Sequence, residues 1–459
     1  MTKIIIISFV SFICSSTFAQ FQIPEYEKHT LPNGLTLYLM EQQEVPLIYV
    51  SAIFPAGAVW DGNQSGLAAL TAEALLFGSL NYTKDDIEQA FDFLGADIST
   101  GAGMEGADVS LSFKKNDFEK LFPIFVDVIK NPSFHQFEVE KRIKRWIAEL
   151  EQNKESPRRV IRNYFNKLIF GSKPYGNPVS GTKTSVSELT AEELRSFFNL
   201  HYSLPLSCIA VVGDFSSEEL KKKIETFFPA GPKVELPLFP KGIQDTPPLP
   251  TESRVLLVDK ADARETTFMI GSEGVAWNNP DLTQIDVINT ILGGRFTSWL
   301  NTELRINSGL TYGARSGFRH YKYGGTFYAY SFTAKENTVE AIDLTLKVLD
   351  KLHSEGIDEE TLSSAKNYMK GQFPPGYETS GDLANLLTTM FFYGLDDSYI
   401  NNFEENVDAM TVERANEIIA KYFPKEYLQF VLIGKADEIR DKVTKYGKIY
   451  ERSIEEDGF

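Results

Sequence analysis

Residues 189–214 read LTAEELRSFFNLHYSLPLSCIAVVGD, and residues 410–435 read MTVERANEIIAKYFPKEYLQFVLIGK. Thr190 aligns with Thr411, Glu192 with Glu413, Tyr202 with Phe423 and Gly213 with Gly434, all at one offset of 221 and without a gap. Each copy predicts a helix opened by a Thr cap, then an aromatic-rich turn, then an apolar strand ending at glycine. Four matches in one register point to an internal duplication, so the fold is expected to be two copies of one unit.

Between the copies, residues 229–252 carry seven prolines, a density that excludes helix and inner strand and predicts an extended linker. The linker divides the chain into domains at 22–228 and 253–452. Each half opens with strand-like runs: 35–40 and 47–54 in the first, 254–258 and 266–271 in the second. Helical periodicity follows at 66–78, 84–94, 116–129 and 135–153, and again at 279–292, 295–306, 337–354 and 358–372. The expected fold class is α+β: two homologous lobes, each a mixed sheet with helices packed on it, forming a clamshell.

Residues 1–19 read as a secretory signal peptide, with Lys3 at the start, an apolar stretch over 4–13 and a small-residue end at Ala19. The mature protein is therefore expected outside the cytoplasm, in the periplasm, with no membrane insertion. A formal net charge of −17 disfavours nucleic acid and anionic lipid as partners. Of two cysteines, Cys14 leaves with the leader. Cys208 remains alone in the run CIAVV and reads as a small buried hydrophobe, with no disulfide possible.

Residues 66–79, GLAALTAEALLFGS, carry a specific resemblance. So do LPNGLTLYL at 31–39, PYGNPVSGT at 174–182, VVGD at 211–214 and LGGRFTSWLNTELRINSGLTY at 292–312. Together these segments resemble the inverzincin zinc peptidases, the family of pitrilysin, insulinase and mitochondrial processing peptidase. Its members place His-x-x-Glu-His on a helix in the setting of residues 66–79, where two histidines one turn apart hold zinc and the glutamate activates a water. Here the first histidine position is Ala69, the base position Ala72 and the second histidine position Glu73. The resemblance places the third zinc ligand at Glu149, which is then vestigial, and a further family glutamate at Arg142. A lone carboxylate cannot hold zinc, and Glu149 reads equally as a solvated helix charge or a partner of Arg142 or Arg145.

The resemblance also implies a second half-site. Arg305 and Tyr312 keep the family's spacing of an arginine and a tyrosine that hold peptide opposite the metal, while Trp299 stands where many relatives carry another arginine. A guanidinium and a phenol are both donors, suited to a peptide carbonyl and to the oxyanion formed on attack. The expected function is thus the zinc-free subunit of a heterodimeric peptidase. It would bind peptide and supply Arg305 and Tyr312 to the zinc site of a His-x-x-Glu-His paralogue, and would be inactive alone. The alternatives are a non-enzymatic scaffold or a peptide-binding protein of the same fold. No Gly-x-Ser-x-Gly elbow or phosphate loop suggests other hydrolytic chemistry.

Overall fold

A computed structural model describes residues 21–230, 237–244 and 250–459. The leader read over 1–19 and parts of the 229–252 stretch lie outside the described residues.

Among the described residues, twelve strands form two six-stranded mixed sheets. The first contains β1 (Glu27–Thr30), β2 (Thr36–Glu41), β3 (Leu47–Phe54), β4 (Asp97–Ala102), β5 (Ala107–Lys114) and β6 (Cys208–Gly213) in the order β1-β2-β6-β3-β5-β4. The second contains β7 (Arg254–Asp259), β8 (Glu265–Glu273), β9 (Ala314–Tyr321), β10 (Gly324–Ala334), β11 (Gln429–Gly434) and β12 (Lys448–Ser453) in the order β12-β7-β11-β8-β10-β9. In both, the last inner strand inserts parallel to the first (β6 on β2, β11 on β7), and every pairing beyond it is antiparallel. The duplication holds residue for residue at the segments that revealed it. Helices Ala191–His201 and Val412–Tyr422, like β6 and β11, sit at the same offset of 221. Thr190 and Thr411 accept hydrogen bonds from the backbone N–H groups of Glu193 and Arg414, as caps do. Only the outer strands differ: β1 is antiparallel to β2, whereas β12 runs parallel to β7.

Strand β6 is buried along its whole length, because both faces of its sheet are covered. Ile209 and Val211 face the helices of their own lobe. Cys208, Ala210 and Val212 face Leu383, Leu387 and Met390 of the helix Ser380–Tyr393, which belongs to the other lobe. The reverse exchange also occurs. Helix Pro157–Phe170 of the first lobe lies on β8 and β11 of the second, with Val160, Ile161 and Phe165 beside Met269, Val431 and Ile433. Each lobe thus lends one helix to close the other's sheet. Cys208 is fully buried, and burial pushes its thiol pKa up, which keeps it unreactive. Phe239 and Ile243, from the proline-rich stretch, are buried in the same inter-lobe layer.

The pattern over 295–306 is not one helix. The chain runs from Leu282–Asn289 through a π-helical turn, Thr290–Gly294, breaks at Arg295 and resumes at Trp299–Asn301 with a second π-helical turn, Thr302–Asn307. Gly293 is required there, since a Cβ on it would lie 2.1 Å from the Ser316 nitrogen on β9.

Candidate functional site

Helix Leu67–Ala74 starts from Gly66, whose φ of 97° favours glycine. The buried Asp61 carboxylate accepts hydrogen bonds from the Gly66 and Ala68 N–H groups at 2.9 and 2.8 Å, tying down the helix N-terminus. Burial pushes the Asp61 pKa up to about 8 despite those two donors. Ala69 and Glu73 lie one turn apart on the half-buried face, and Ala72 is sealed in the core. The place of the missing base is therefore apolar interior.

Helix Gln136–Lys154 crosses beside it and supplies Arg142 and Glu149, two turns apart on one face. The Arg142 Nε donates to Glu73 at 2.5 Å, and its two Nη atoms donate to the two oxygens of Glu149 at 3.1 and 3.0 Å. The guanidinium also lies 4.6 Å from the Trp146 ring, whose indole N–H donates to the Ser180 carbonyl at 3.1 Å. Burial works against the Arg142 charge, but hydrogen bonds to Glu73 and Glu149 outweigh it and raise its pKa above the usual arginine value. Glu149 is therefore a partner of Arg142, one of the roles its position suggested. These residues do not fit zinc. Neither histidine is present, both oxygens of the remaining ligand position are engaged, and a cation already stands among them. Among the described residues, no group of three or more His, Cys, Asp or Glu side chains could hold a metal ion.

Arg305 and Tyr312 present the opposite case. Arg305 sits on the second π-helical turn, its guanidinium 5.0 Å from the exposed ring of Phe296. Gly309, at a φ of 67°, ends the turn and redirects the chain into β9. The loop beyond is braced from behind by β10. Ser331 Oγ donates to the Thr311 hydroxyl and the Gly313 carbonyl, and Thr333 donates to the Leu310 carbonyl at 2.7 Å. Tyr312, between these anchors, projects outward with 82% of its surface exposed. Neither residue makes a hydrogen bond or ion pair among the described residues. No such contact joins this pair to Glu73, Arg142 or Glu149. Trp299 is half-buried, with the Lys351 ammonium 4.7 Å from its ring.

Sequence reasoning missed one polar centre. Glu105, in the hairpin between β4 and β5, is buried where the lobes meet. It accepts from the Tyr175 hydroxyl at 2.6 Å, the Lys322 N–H at 2.9 Å and the Tyr393 hydroxyl at 3.0 Å. Burial raises its pKa and those donors oppose the rise. Tyr175 lies in the PYGNPVSGT segment, and only that marker hinted at it.

The sheets, the erased metal motif and the outward Arg305 and Tyr312 define a two-lobed, peptidase-like protein. Comparison with known proteins gives the same class. A model described as insulinase (peptidase family M16) matches residues 39–183, and one described as peptidase M16 inactive domain matches 188–369. The chain belongs to the M16 peptidase family. An uncharacterized zinc protease of Mycobacterium leprae is 26% identical over 412 residues, covering 88% of this chain and 90% of that one. A Helicobacter pylori protein named non-peptidase homolog YmxG is 23% identical over 421 residues, covering 88% and 94%. A crystal structure titled as a peptidase M16 inactive domain from Pseudomonas fluorescens superposes with a TM-score of 0.82 at 25% identity, covering 90% and 98%. With both histidines and the base replaced, this chain is a non-catalytic member of the family. Among the described residues, no helix is long and apolar enough to cross a membrane.

Proposed function

We propose that this chain is the zinc-free subunit of a two-chain peptidase acting outside the cytoplasm. It holds peptide with Arg305 and Tyr312 while a His-x-x-Glu-His paralogue supplies zinc and the attacking hydroxide. The observation that carries the reading is the state of that pair. Arg305 is exposed on the π-helical turn and Tyr312 on the braced loop after it, and among the described residues neither makes a hydrogen bond or ion pair, so their donors are free for a substrate carbonyl.

The test is steady-state kinetics of the reconstituted pair. Tyr312→Phe removes one hydroxyl and keeps the ring, so pairing survives and kcat falls by roughly 10²–10³, as for loss of an oxyanion donor. Arg305→Ala should also raise KM through loss of a charge-assisted contact. Unchanged kinetics in both variants would leave the chain as a scaffold.

A further inference from the structure

We infer that the Arg142 guanidinium has taken over the structural place of the metal. It is the cation that ties Glu73 to Glu149 across two helices, and it keeps zinc out of the site even when ligands are restored.

A zinc ion in this setting would join helix Leu67–Ala74 to helix Gln136–Lys154 and neutralise its carboxylate. Arg142 does both with protein atoms alone. One N–H reaches Glu73 on the first helix, and two parallel N–H groups grip Glu149 on its own helix. The planar fork matches a carboxylate bidentately, as an ammonium could not. Its position is fixed from behind by the Trp146 ring, itself held through Ser180. Only 12% of the Arg142 side chain is exposed, against 39% for Glu73 and 53% for Glu149. The cation is thus enclosed and the carboxylates face outward.

Two consequences follow. The site presents net negative charge, so it repels an oxyanion rather than stabilising one. Moreover, the bond to Glu149 does not involve Glu73. Replacing Ala69 and Glu73 by histidine leaves the guanidinium in place, gripping the third ligand and repelling the metal. The inference is independent of the peptide-holding reading, because zinc titration needs neither a partner chain nor hydrolysis.

The experiment measures zinc binding by calorimetry and elemental analysis on the whole folded chain. Ala69→His with Glu73→His should bind zinc weakly. Adding Arg142→Ala should tighten binding by about 100-fold, and adding Glu149→Gln to that triple variant should reverse the gain. Equal affinity with and without Arg142 would overturn the inference. If the triple variant fails to fold, the native background still decides. Arg142→Gln should lower the unfolding midpoint, and adding Glu149→Gln should recover part of the loss by removing the uncompensated carboxylate. No recovery in that pair would equally overturn it.

Discussion

Arg142 in the first lobe and Arg305 in the second carry the same guanidinium and meet opposite surroundings. Arg142 is enclosed, stacked on Trp146 and bonded to two carboxylates. Arg305 is exposed, lies over an exposed phenylalanine and bonds to none. At the positions of the family's metal ligands, Arg142, Glu73 and Glu149 form a closed internal contact. Around Arg305 and Tyr312, the hydroxyls of Ser308, Thr311 and Thr333 bond to backbone carbonyls, and the pair itself makes no hydrogen bond or ion pair among the described residues. On the reading proposed above, the open donors of Arg305 and Tyr312 await another molecule, whereas those of Arg142 are satisfied within the chain.

That contrast presumes that the lobes move as one body, which Glu105 tests most severely. Glu105→Ala strands two buried hydroxyls and one N–H at the lobe interface, at an expected cost of about 4 kcal/mol. If the lobes are one unit, calorimetry should still show a single, lowered transition. Two separate transitions in the native protein would break the comparison at its base. The next effect is smaller. Arg142→Ala should cost about 2–3 kcal/mol in urea unfolding, below the usual range for a broken buried pair because both carboxylates reach solvent. Arg305→Ala should change stability by less than about 0.5 kcal/mol. Equal losses at the two arginines would erase the distinction drawn between them.

Local periodicity and caps carried much of the fold. Helices Ala191–His201 and Val412–Tyr422 and strands β6 and β11 stand where the repeat placed them, because cap, amphipathic stripe and apolar strand are all local patterns. The loss of the zinc motif was likewise legible at Ala69, Ala72 and Glu73. The helix exchange was not. Pro157–Phe170 and Ser380–Tyr393 were not read as helices, and nothing in either sequence says which lobe's sheet it covers. Glu105 was invisible for a similar reason: it stands alone in a glycine-rich hairpin, with partners 70, 217 and 288 residues away. Arg142 was visible as a departure from the family, but its bond to Glu73 required the approach of two helices distant in sequence.

The duplicated caps allow a finer comparison. Thr190 forms a reciprocal capping box with Glu193, whereas Thr411 meets Arg414 at the matching position and caps from one side only. Thr190→Ala should therefore cost about 1.5 kcal/mol and Thr411→Ala about 0.7 kcal/mol. Denaturant midpoints at constant slope would separate them. A larger loss at Thr411 would show that surroundings outweigh the caps.

One further effect also distinguishes the lobes, and it depends on pH. His201 closes the last turn of its helix in the first lobe, with its ring 4.6 Å from Trp60 and 4.5 Å from Phe197. The matching residue of the second lobe, 221 positions on, is Tyr422, a phenol where the first lobe has an imidazole. Burial lowers the His201 pKa to about 4, against the pull of the helix C-terminus toward the charged form. Between the ordinary histidine value near 6.5 and about 4, the unfolded chain binds a proton that the folded chain does not. Stability from this group is therefore complete above pH 6.5, declines as pH falls through that window and levels off below it. The ring remains partly exposed, so the total is about 1 kcal/mol after allowance for solvent screening. His201→Tyr, which copies the second lobe, should remove the effect. Urea unfolding of both proteins at pH 7 and pH 5 should then show a stability gap that changes in favour of the variant at the lower pH. A gap that stays constant between the two would mean that His201 is as free to charge in the folded chain as in the unfolded one.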